Sequence, residues 1–264
     1  MGEGVKENNM ADLIEPASPG ENGSEPKSNH PVFEKPRADK LRPELTRLPE
    51  LTRGRILLRS FLHSLARAVI LLLTRCQLYG LENFPRHGPA LLVVNHLGDA
   101  DAVIGLAFFP RQVEALAKIE LYDFPVLGRI IEAYGVIWVH RGQPDRRAIQ
   151  AALQGLREER LVGVAPEGRE SVTGSLEEGT GGAAYIALKA DVPIVPVTFL
   201  GTENNKIYTN LKRLRRSKVS MTVGTMFKLE QLPDRREAIR RGTRLIMERL
   251  ALQLPKEYRG IYGV

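Results

Sequence analysis

The chain has 264 residues, of which 43% are hydrophobic and 26% charged, so it holds enough apolar side chains for a buried core. Its single cysteine, Cys76, excludes an internal disulfide framework and a cysteine-rich zinc site. Residues 1–50 carry seven basic and ten acidic side chains, so the net charge of +7 for the whole chain becomes +10 for residues 51–264. A basic body fits an anionic partner such as a membrane surface, a phosphorylated substrate or a nucleic acid.

Residues 1–52 are predicted to be a disordered, acidic and polar tail. They are rich in Glu, Pro, Asn and Ser and show no sustained apolar periodicity. Such a segment buries too little surface to offset the entropy of ordering it. Its start lacks the apolar core of a secretory signal, and Lys6 stands where a myristoylation motif has Ser or Thr. We therefore expect an intracellular protein.

An amphipathic helix is predicted next, at about residues 54–77. Basic side chains recur every four positions on one stripe, namely Arg55, Arg59, His63 and Arg67. Apolar side chains fall on the opposite side: Leu58, Phe61, Leu65, Ala68, Val69 and Leu72. A spanning helix needs roughly 20 mostly apolar residues, and Arg67 interrupts the run. We expect a helix lying in the membrane interface, with an ordinary helix packed on the core as the alternative.

Short apolar runs then alternate with helical patterns. Six runs are predicted as strands: Ala90–Asn95, Val113–Lys118, Gly135–His140, Leu161–Ala165, Pro193–Leu200 and Val219–Gly224. Three patterns are predicted as helices: Asp145–Glu159, Gly179–Lys189 and Arg235–Leu254. This alternation predicts an α/β fold, with a largely parallel mixed sheet and helices on both faces, in one domain over residues 53–264. Ligands of such sheets bind at the carboxyl ends of the strands.

The first polar cluster at such an end is Asn95-His96-Leu97-Gly98-Asp99-Ala100-Asp101. Histidine suits the role of a general base near neutral pH, provided that one ring nitrogen is free and a carboxylate holds the other. Asp101 lies five positions after His96, so a strand-to-helix turn could bring the two together, and Asp99 is a local competitor. A histidine that only caps a helix or fills a turn is the alternative.

Two further clusters end later strands. The run from Gly135 ends in Arg141, whose always-charged planar fork suits a phosphate, whereas the preceding histidine fits a partly buried edge position. The run Pro166-Glu167-Gly168-Arg169-Glu170-Ser171 makes a tight loop whose backbone N–H groups can face an anion or a ligand hydroxyl. Taken alone, the first could be a surface charge and the second a turn.

Together the clusters resemble the glycerolipid acyltransferase family, in particular bacterial 1-acylglycerol-3-phosphate (lysophosphatidate) acyltransferases. The family's Asn-His-x4-Asp block is matched from Asn95 to Asp101, and its Gly-hydrophobic-Arg block from Gly135 to Arg141. Its Pro-Glu-Gly block is matched by residues 166–168, and its apolar block with two prolines by Val192-Pro193-Ile194-Val195-Pro196-Val197. The resemblance covers roughly residues 78–262.

The resemblance implies that His96 is the base and Asp101 its orienting carboxylate. The expected contacts of the acceptor's glycerol phosphate are Asn95, Arg141, Glu167, Gly168 and Arg169, and Pro196 is expected to shape the strand beside the acyl donor. The implied reaction carries a fatty-acyl group from an acyl-CoA or acyl carrier protein thioester to the hydroxyl of a lysophospholipid. The leading acceptor is 1-acylglycerol-3-phosphate, which gives phosphatidate, as in phospholipid biosynthesis. The reaction needs no bound cofactor and no metal.

Two positions depart from the family pattern. Gly98 stands where family members usually have Ser, and Gly168 is followed by Arg169 and Glu170 instead of Thr-Arg. A carboxylate near an acceptor phosphate lowers affinity unless it points away or is paired. The identity of the acceptor therefore stays open, with another lysolipid or polar lipid as the alternative.

The remaining features point to a membrane surface. A basic run precedes the last predicted strand: Lys206, Lys212, Arg213, Arg215, Arg216 and Lys218. It is interpreted as facing an anionic membrane or a phosphate, with a solvated loop as the alternative.

Nucleic-acid binding is disfavoured because no recognition motif is present, and a serine esterase because no Gly-x-Ser-x-Gly elbow exists. We expect a peripheral or monotopic protein on the cytoplasmic face, and a non-catalytic lipid-surface homologue is the rival reading.

Overall fold

The computed structural model describes residues 42–140 and 145–263. A seven-stranded sheet runs through it in the order β1-β7-β6-β2-β5-β3-β4, and every neighbouring pair is parallel except β6 and β7. The strands are β1 Thr74–Tyr79, β2 Ala90–Val94, β3 Val113–Lys118, β4 Ile137–Val139, β5 Leu161–Val164, β6 Ile194–Leu200 and β7 Ser217–Val223. The helices are α1 Arg53–Leu73, α2 Ala100–Phe108, α3 Leu127–Tyr134, α4 Arg146–Arg157, α5 Gly182–Ala190, α6 Asn204–Lys212 and α7 Arg235–Ala251.

Helices cover both faces of the sheet. One face packs apolar side chains of α4, α5 and α7, and the other packs those of α1 and α2. The central strands β2 and β6 are buried on both faces, which is why their sequences are continuous apolar runs and not alternating ones. The predicted α/β class and largely parallel mixed sheet are confirmed.

The six predicted strands and three predicted helices all occur, with ends shifted by a few residues. The prediction of one helix up to residue 77 is wrong, because α1 ends at Leu73 and residues from Thr74 form the edge strand β1. The pairing partner of β1 is β7, which lies about 140 residues later in the chain. Helices α2, α3 and α6 were not delimited from the sequence; they are eight or nine residues long and have short apolar patterns.

The predicted disordered tail ends too late. Residues 42–52 lie against the domain: Thr46 is buried and Leu48 packs on the core. The backbone N–H of Arg42 donates to His140 Nε2 (3.1 Å), and the Pro49 carbonyl accepts from Arg160 Nη1 (2.8 Å). This segment has no periodicity because backbone groups and isolated apolar side chains hold it. Residues 1–41 lie outside the described part.

Helix α1 turns its basic stripe toward the protein. It begins after Thr52, whose hydroxyl caps the Arg55 N–H at 3.2 Å. The guanidinium of Arg59 is 1% exposed and makes a bidentate ion pair with Glu114 of β3 at 2.8 and 3.0 Å. Arg67 lies over the ring of Phe108. The buried network therefore fixes the orientation of α1 against the sheet.

The opposite side of α1 is apolar and exposed. Its exposed side chains include Leu57, Phe61, Leu65, Val69, Leu71 and Leu72. Within the described residues α1 is also the one helix long and apolar enough, at 21 residues, to cross a membrane. The expectation that Arg67 leaves too short a run does not hold by this measure. A soluble core helix buries its apolar face, whereas α1 buries Ala66 and Ile70 and leaves most of its other apolar side chains exposed.

Candidate functional site

Three loops meet at one edge of the sheet. Strands β6, β2, β5 and β3 are neighbours and run parallel, so their carboxyl ends lie together. The loop after β2 carries His96, the loop after β5 carries Glu167, and β3 ends at Lys118. Open α/β sheets bind ligands at this edge.

His96 and Asp101 form a hydrogen-bonded pair. His96 Nδ1 lies 3.0 Å from Asp101 Oδ2, and the same oxygen accepts the backbone N–H groups of Leu97 (2.7 Å) and Gly98 (3.1 Å). Asp101 is buried in the first turn of α2, whereas the His96 side chain is 24% exposed. Among the described residues none bonds to His96 Nε2. The carboxylate thus holds Nδ1 as the donor and leaves Nε2 as the free base.

Asp99, the local competitor, does not pair with His96. Its carboxylate accepts from the Tyr208 hydroxyl at 2.9 Å instead. Because Asp99 directly precedes α2 while Asp101 is inside its first turn, only the latter side chain returns to the histidine. The structure therefore brings together the two residues that the sequence proposed as base and orienter.

Asn95 has a structural role in the fold, and its predicted contact with the acceptor stays a prediction. Its side chain is buried, and its amide exchanges two hydrogen bonds with the backbone of Phe199, at 2.7 and 3.0 Å. These bonds join the end of β2 to β6. An amide whose oxygen and nitrogen are both used by a neighbouring strand fixes the position of the next residue, His96.

Glu167 also joins loops. It is 6% exposed, and its two carboxylate oxygens accept the backbone N–H groups of Glu177 (2.7 Å) and His96 (3.4 Å). Burial, opposed by these two bonds, raises the pKa of Glu167 to about 7. The side chain thus holds the backbone of His96 in place. Its expected contact with the acceptor stays a prediction.

Gly168 takes the left-handed conformation, with φ +73°. A Cβ here would meet only Thr180 at 3.9 Å, so the constraint is the backbone angle and not the space. The turn returns the chain to the loop after β2, where the Ser171 N–H donates to the His96 carbonyl at 2.8 Å. Gly168 therefore shapes the site.

Arg169 is mostly exposed and ion-paired, and its predicted contact with the acceptor stays a prediction. Its guanidinium is 62% exposed and pairs with Glu177 at 2.8 and 3.1 Å. The one-position shift relative to the family pattern places it on the outside of the loop. Arg141, the other predicted phosphate ligand, lies outside the described residues.

Lys118 is the cation that sequence reasoning missed at this edge. It is the last residue of β3 and is half-buried. Burial and Asp99 raise the pKa of Glu170, whereas His96 and Lys118 act to lower it, so these four side chains share one neighbourhood. The available signal was a basic residue at the end of a predicted strand.

The two departures from the family pattern meet at Asn204. A Cβ on Gly98 would lie 2.4 Å from the Thr202 carbonyl oxygen and 2.7 Å from Asn204 Oδ1, so no larger residue fits without a shift. Asn204 Oδ1 accepts the Asp99 N–H (2.9 Å), and its Nδ2 donates to Glu170 (2.8 Å). One oxygen of Glu170 thus accepts from a neutral amide, which does not compensate its charge, and one side chain of α6 connects both loops.

Pro196 lies in β6, buried, with Val93 of β2 opposite it. Its carbonyl accepts the Gly224 N–H at 2.8 Å, where β7 ends. Its role beside an acyl donor stays a prediction. Within the described ranges no group of three His, Cys, Asp or Glu side chains could hold a metal ion, and the expected independence of metals and cofactors also stays a prediction.

Comparison with known proteins identifies related chains. Residues 75–200 match the family model described as Acyltransferase. A 1-acyl-sn-glycerol-3-phosphate acyltransferase of Borreliella burgdorferi is 32% identical over 128 residues, which is 47% of this chain and 51% of that protein. One of Bacillus subtilis is 26% identical over 56% of this chain and 71% of that protein. The chain thus spans about half the length of the first of these relatives.

The fold also occurs in a solved structure. The crystal structure of a 1-acyl-sn-glycerophosphate (LPA) acyltransferase, PlsC, from Thermotoga maritima matches with a TM-score of 0.55 and 21% identity. The match covers 74% of this chain and 82% of that one. The family match begins in β1 and ends with β6, so it includes the loops that carry His96 and Glu167. Residues 75–200 of this chain are thus similar to the acyltransferase family, and the fold is shared with a solved member of that class.

Proposed function

We propose that the protein transfers a fatty-acyl group from an acyl thioester to the hydroxyl of a lysophospholipid. The proposed acceptor is 1-acylglycerol-3-phosphate and the product is phosphatidate. The observation that carries the proposal is the His96–Asp101 pair, 3.0 Å apart at the carboxyl edge of the sheet, with Nε2 free. The names of the Borreliella and Bacillus relatives support the choice of acceptor.

The pair supports direct transfer without an acyl-enzyme. His96 Nε2 takes the proton from the acceptor hydroxyl while its oxygen attacks the thioester carbonyl, and Asp101 stabilises the imidazolium that forms. The tetrahedral intermediate then expels the thiolate, which receives the proton from His96. A positioned base of this kind contributes about 10²–10⁴-fold. The donor is acyl-CoA or an acyl carrier protein thioester.

Positive charge for the acceptor phosphate comes from Lys118, together with the predicted Arg141. Lys118 stands at the end of β3, in the neighbourhood of His96. Glu170 lies in the same neighbourhood, and its bond to Asn204 occupies one of its oxygens. This carboxylate favours a second candidate acceptor, a lysophospholipid whose phosphate is a singly charged diester.

The exposed apolar side of α1 supports a place at the membrane. Leu57 and Leu72 are among its most exposed side chains, while Arg59 on the other side is anchored to Glu114. We infer a monotopic or peripheral protein on the cytoplasmic face, with α1 in the interface and its apolar side in the acyl chains. Anionic lipid is the proposed surface partner.

The test is thiol release from acyl-CoA by the purified chain in lipid-mimetic micelles. Lysophosphatidate, phosphodiester lysophospholipids and glycerol 3-phosphate are offered separately, and the product is identified by mass. Release that depends on lysophosphatidate and yields phosphatidate is the expected result. Thiol release that occurs only with a phosphodiester lysophospholipid would support the proposed reaction and refute lysophosphatidate as the acceptor. Failure with every acceptor, from both acyl-CoA and acyl carrier protein, would refute catalysis and favour a non-catalytic lipid-surface protein.

A further inference from the structure

The connection between α6 and β7 is an exposed turn, residues 212–216, which we name the basic turn. Helix α6 ends at Lys212, and the next residues close a Schellman motif around Leu214. The Leu214 N–H donates to the Leu211 carbonyl (3.0 Å), and the Arg215 N–H donates to the Asn210 carbonyl (2.8 Å). Leu214 thus occupies the left-handed position that usually holds glycine.

Leu214 is costly at this position and buries nothing. Its φ is +51°, and its side chain is 93% exposed. A non-glycine residue in the left-handed region is strained, and leucine lacks the short polar side chain that makes Asn or Asp tolerable there. Neither backbone geometry nor packing within the described chain explains a leucine here. Its contact is therefore expected outside the folded domain.

The residues around Leu214 carry uncompensated positive charge. Lys212, Arg213 and Arg215 are exposed, and in the described ranges none of them pairs with a carboxylate. An exposed leucine among three cations matches the chemistry of a phospholipid surface, in which acyl chains lie beneath anionic headgroups.

The basic turn is attached to the membrane-facing helix. Arg216 Nη2 donates to the Leu71 carbonyl (2.6 Å), and Arg216 Nε donates to the Thr74 carbonyl (3.0 Å), at the end of α1. Leu71 to Leu73 are themselves exposed. Two exposed apolar elements with cations between them therefore form one continuous surface.

This surface lies at the same edge of the sheet as the catalytic loops. Strand β7 is antiparallel to β6 and parallel to β1, so Ser217 and Thr74 at their starts stand beside the carboxyl ends of β6 and β2. A membrane that contacts the basic turn is thus brought to the edge that holds His96.

We propose that the basic turn is a second membrane-docking element, which inserts Leu214 among the lipids while Lys212, Arg213 and Arg215 bind the phosphates of anionic headgroups. Its occupant is the surface of an anionic phospholipid bilayer. The inference rests on the proposed membrane location of α1 and adds to it the element of the chain that binds the anionic headgroups. Binding through two elements fixes the orientation of the domain, which one helix in the interface does not do.

The test measures binding of the full chain to phosphatidylcholine vesicles with and without phosphatidylglycerol. Replacing Lys212, Arg213 and Arg215 together by Ala is expected to lower affinity for the anionic vesicles by about a hundredfold, and affinity for neutral vesicles little. The matched control replaces Arg147 and Arg157 of α4 and Arg236 of α7, three exposed arginines, and removes the same charge from the other face of the sheet. An equal loss in the control would overturn the proposal.

A Leu214→Gly variant separates docking from folding. Glycine relieves the left-handed strain, so this variant is expected to unfold at an equal or higher temperature while its affinity for anionic vesicles falls about tenfold. Unchanged affinity would overturn insertion of Leu214. If the basic-turn variants bind vesicles like the wild type but no longer accept acyl groups from acyl carrier protein, the membrane proposal is overturned and the turn binds a protein partner instead. Thiol release in micelles, measured on the same variants, reports separately on catalysis.

Discussion

The raised pKa of Glu167 predicts that this buried carboxyl makes the fold less stable as pH rises. The pKa of Glu167 is about 7 in the folded chain, compared with an ordinary value of 4.5. Between these two pH values the native state therefore keeps a proton that the unfolded state has lost. Stability from this group is therefore present below pH 4.5 and is lost as pH rises through 7. Between pH 5 and pH 8 the expected loss is about 2.5 kcal/mol.

The assay is urea unfolding at several pH values for wild type and Glu167→Gln. Glutamine keeps an acceptor for the Glu177 N–H (2.7 Å in wild type) and never ionises, so its stability should lack this pH dependence. Other titrating groups, such as Glu170, are present in both proteins and cancel in the difference. The wild-type curve should fall relative to the variant between pH 5 and 8. Parallel curves would refute the assignment of a desolvated carboxyl behind His96.

Two further predictions concern a buried ion pair and a close backbone approach. Arg59→Met removes the ion-pair partner of the buried Glu114, whose remaining ion pair in the described residues is the 3.4 Å contact with Arg160, so the unfolding free energy should fall by about 3–5 kcal/mol. Adding Glu114→Leu should restore most of the lost free energy. No recovery in the double variant would contradict the account. Gly98→Ser places a Cβ 2.4 Å from a backbone oxygen and must displace the loop that carries His96. We therefore expect kcat/KM to fall about 10²-fold with little change in protein yield. Wild-type activity in this variant would contradict the close approach.

The parts that the sequence predicted are those that depend on local pattern. The alternation of apolar runs and helical patterns was enough for the α/β class, whereas the spacing of His96 and Asp101 only allowed their contact, and the family resemblance chose Asp101 over Asp99. The strand β1 was missed because its partner β7 lies far away in the chain.

The partners of the site residues also come from tertiary structure. The amide of Asn95 bonds to Phe199, which lies 104 residues later. Arg169 pairs with Glu177, whose own side chain is 14% exposed. A charged or amide side chain next to a catalytic block can serve substrate or scaffold, and only its neighbours in space decide which.

Helix α1 shows the same limit at the level of a surface. The basic stripe was recognised from the sequence. Its side of the helix faces the protein because Arg59 forms a buried ion pair with Glu114, the one acidic residue of β3. The sequence around residue 114 carries no periodic sign of this pair. Once the pair is known, the exposed apolar side of α1 follows from geometry.

The central claim, that His96 is the base of an acyl transfer, is tested most directly by thiol release from acyl-CoA with lysophosphatidate. His96→Gln is compared with His87→Gln, a variant of an exposed histidine in the loop before β2. The account predicts that His96→Gln lowers kcat by about 10²-fold or more while His87→Gln keeps wild-type activity. A His96→Gln enzyme that retains wild-type kcat would contradict the account.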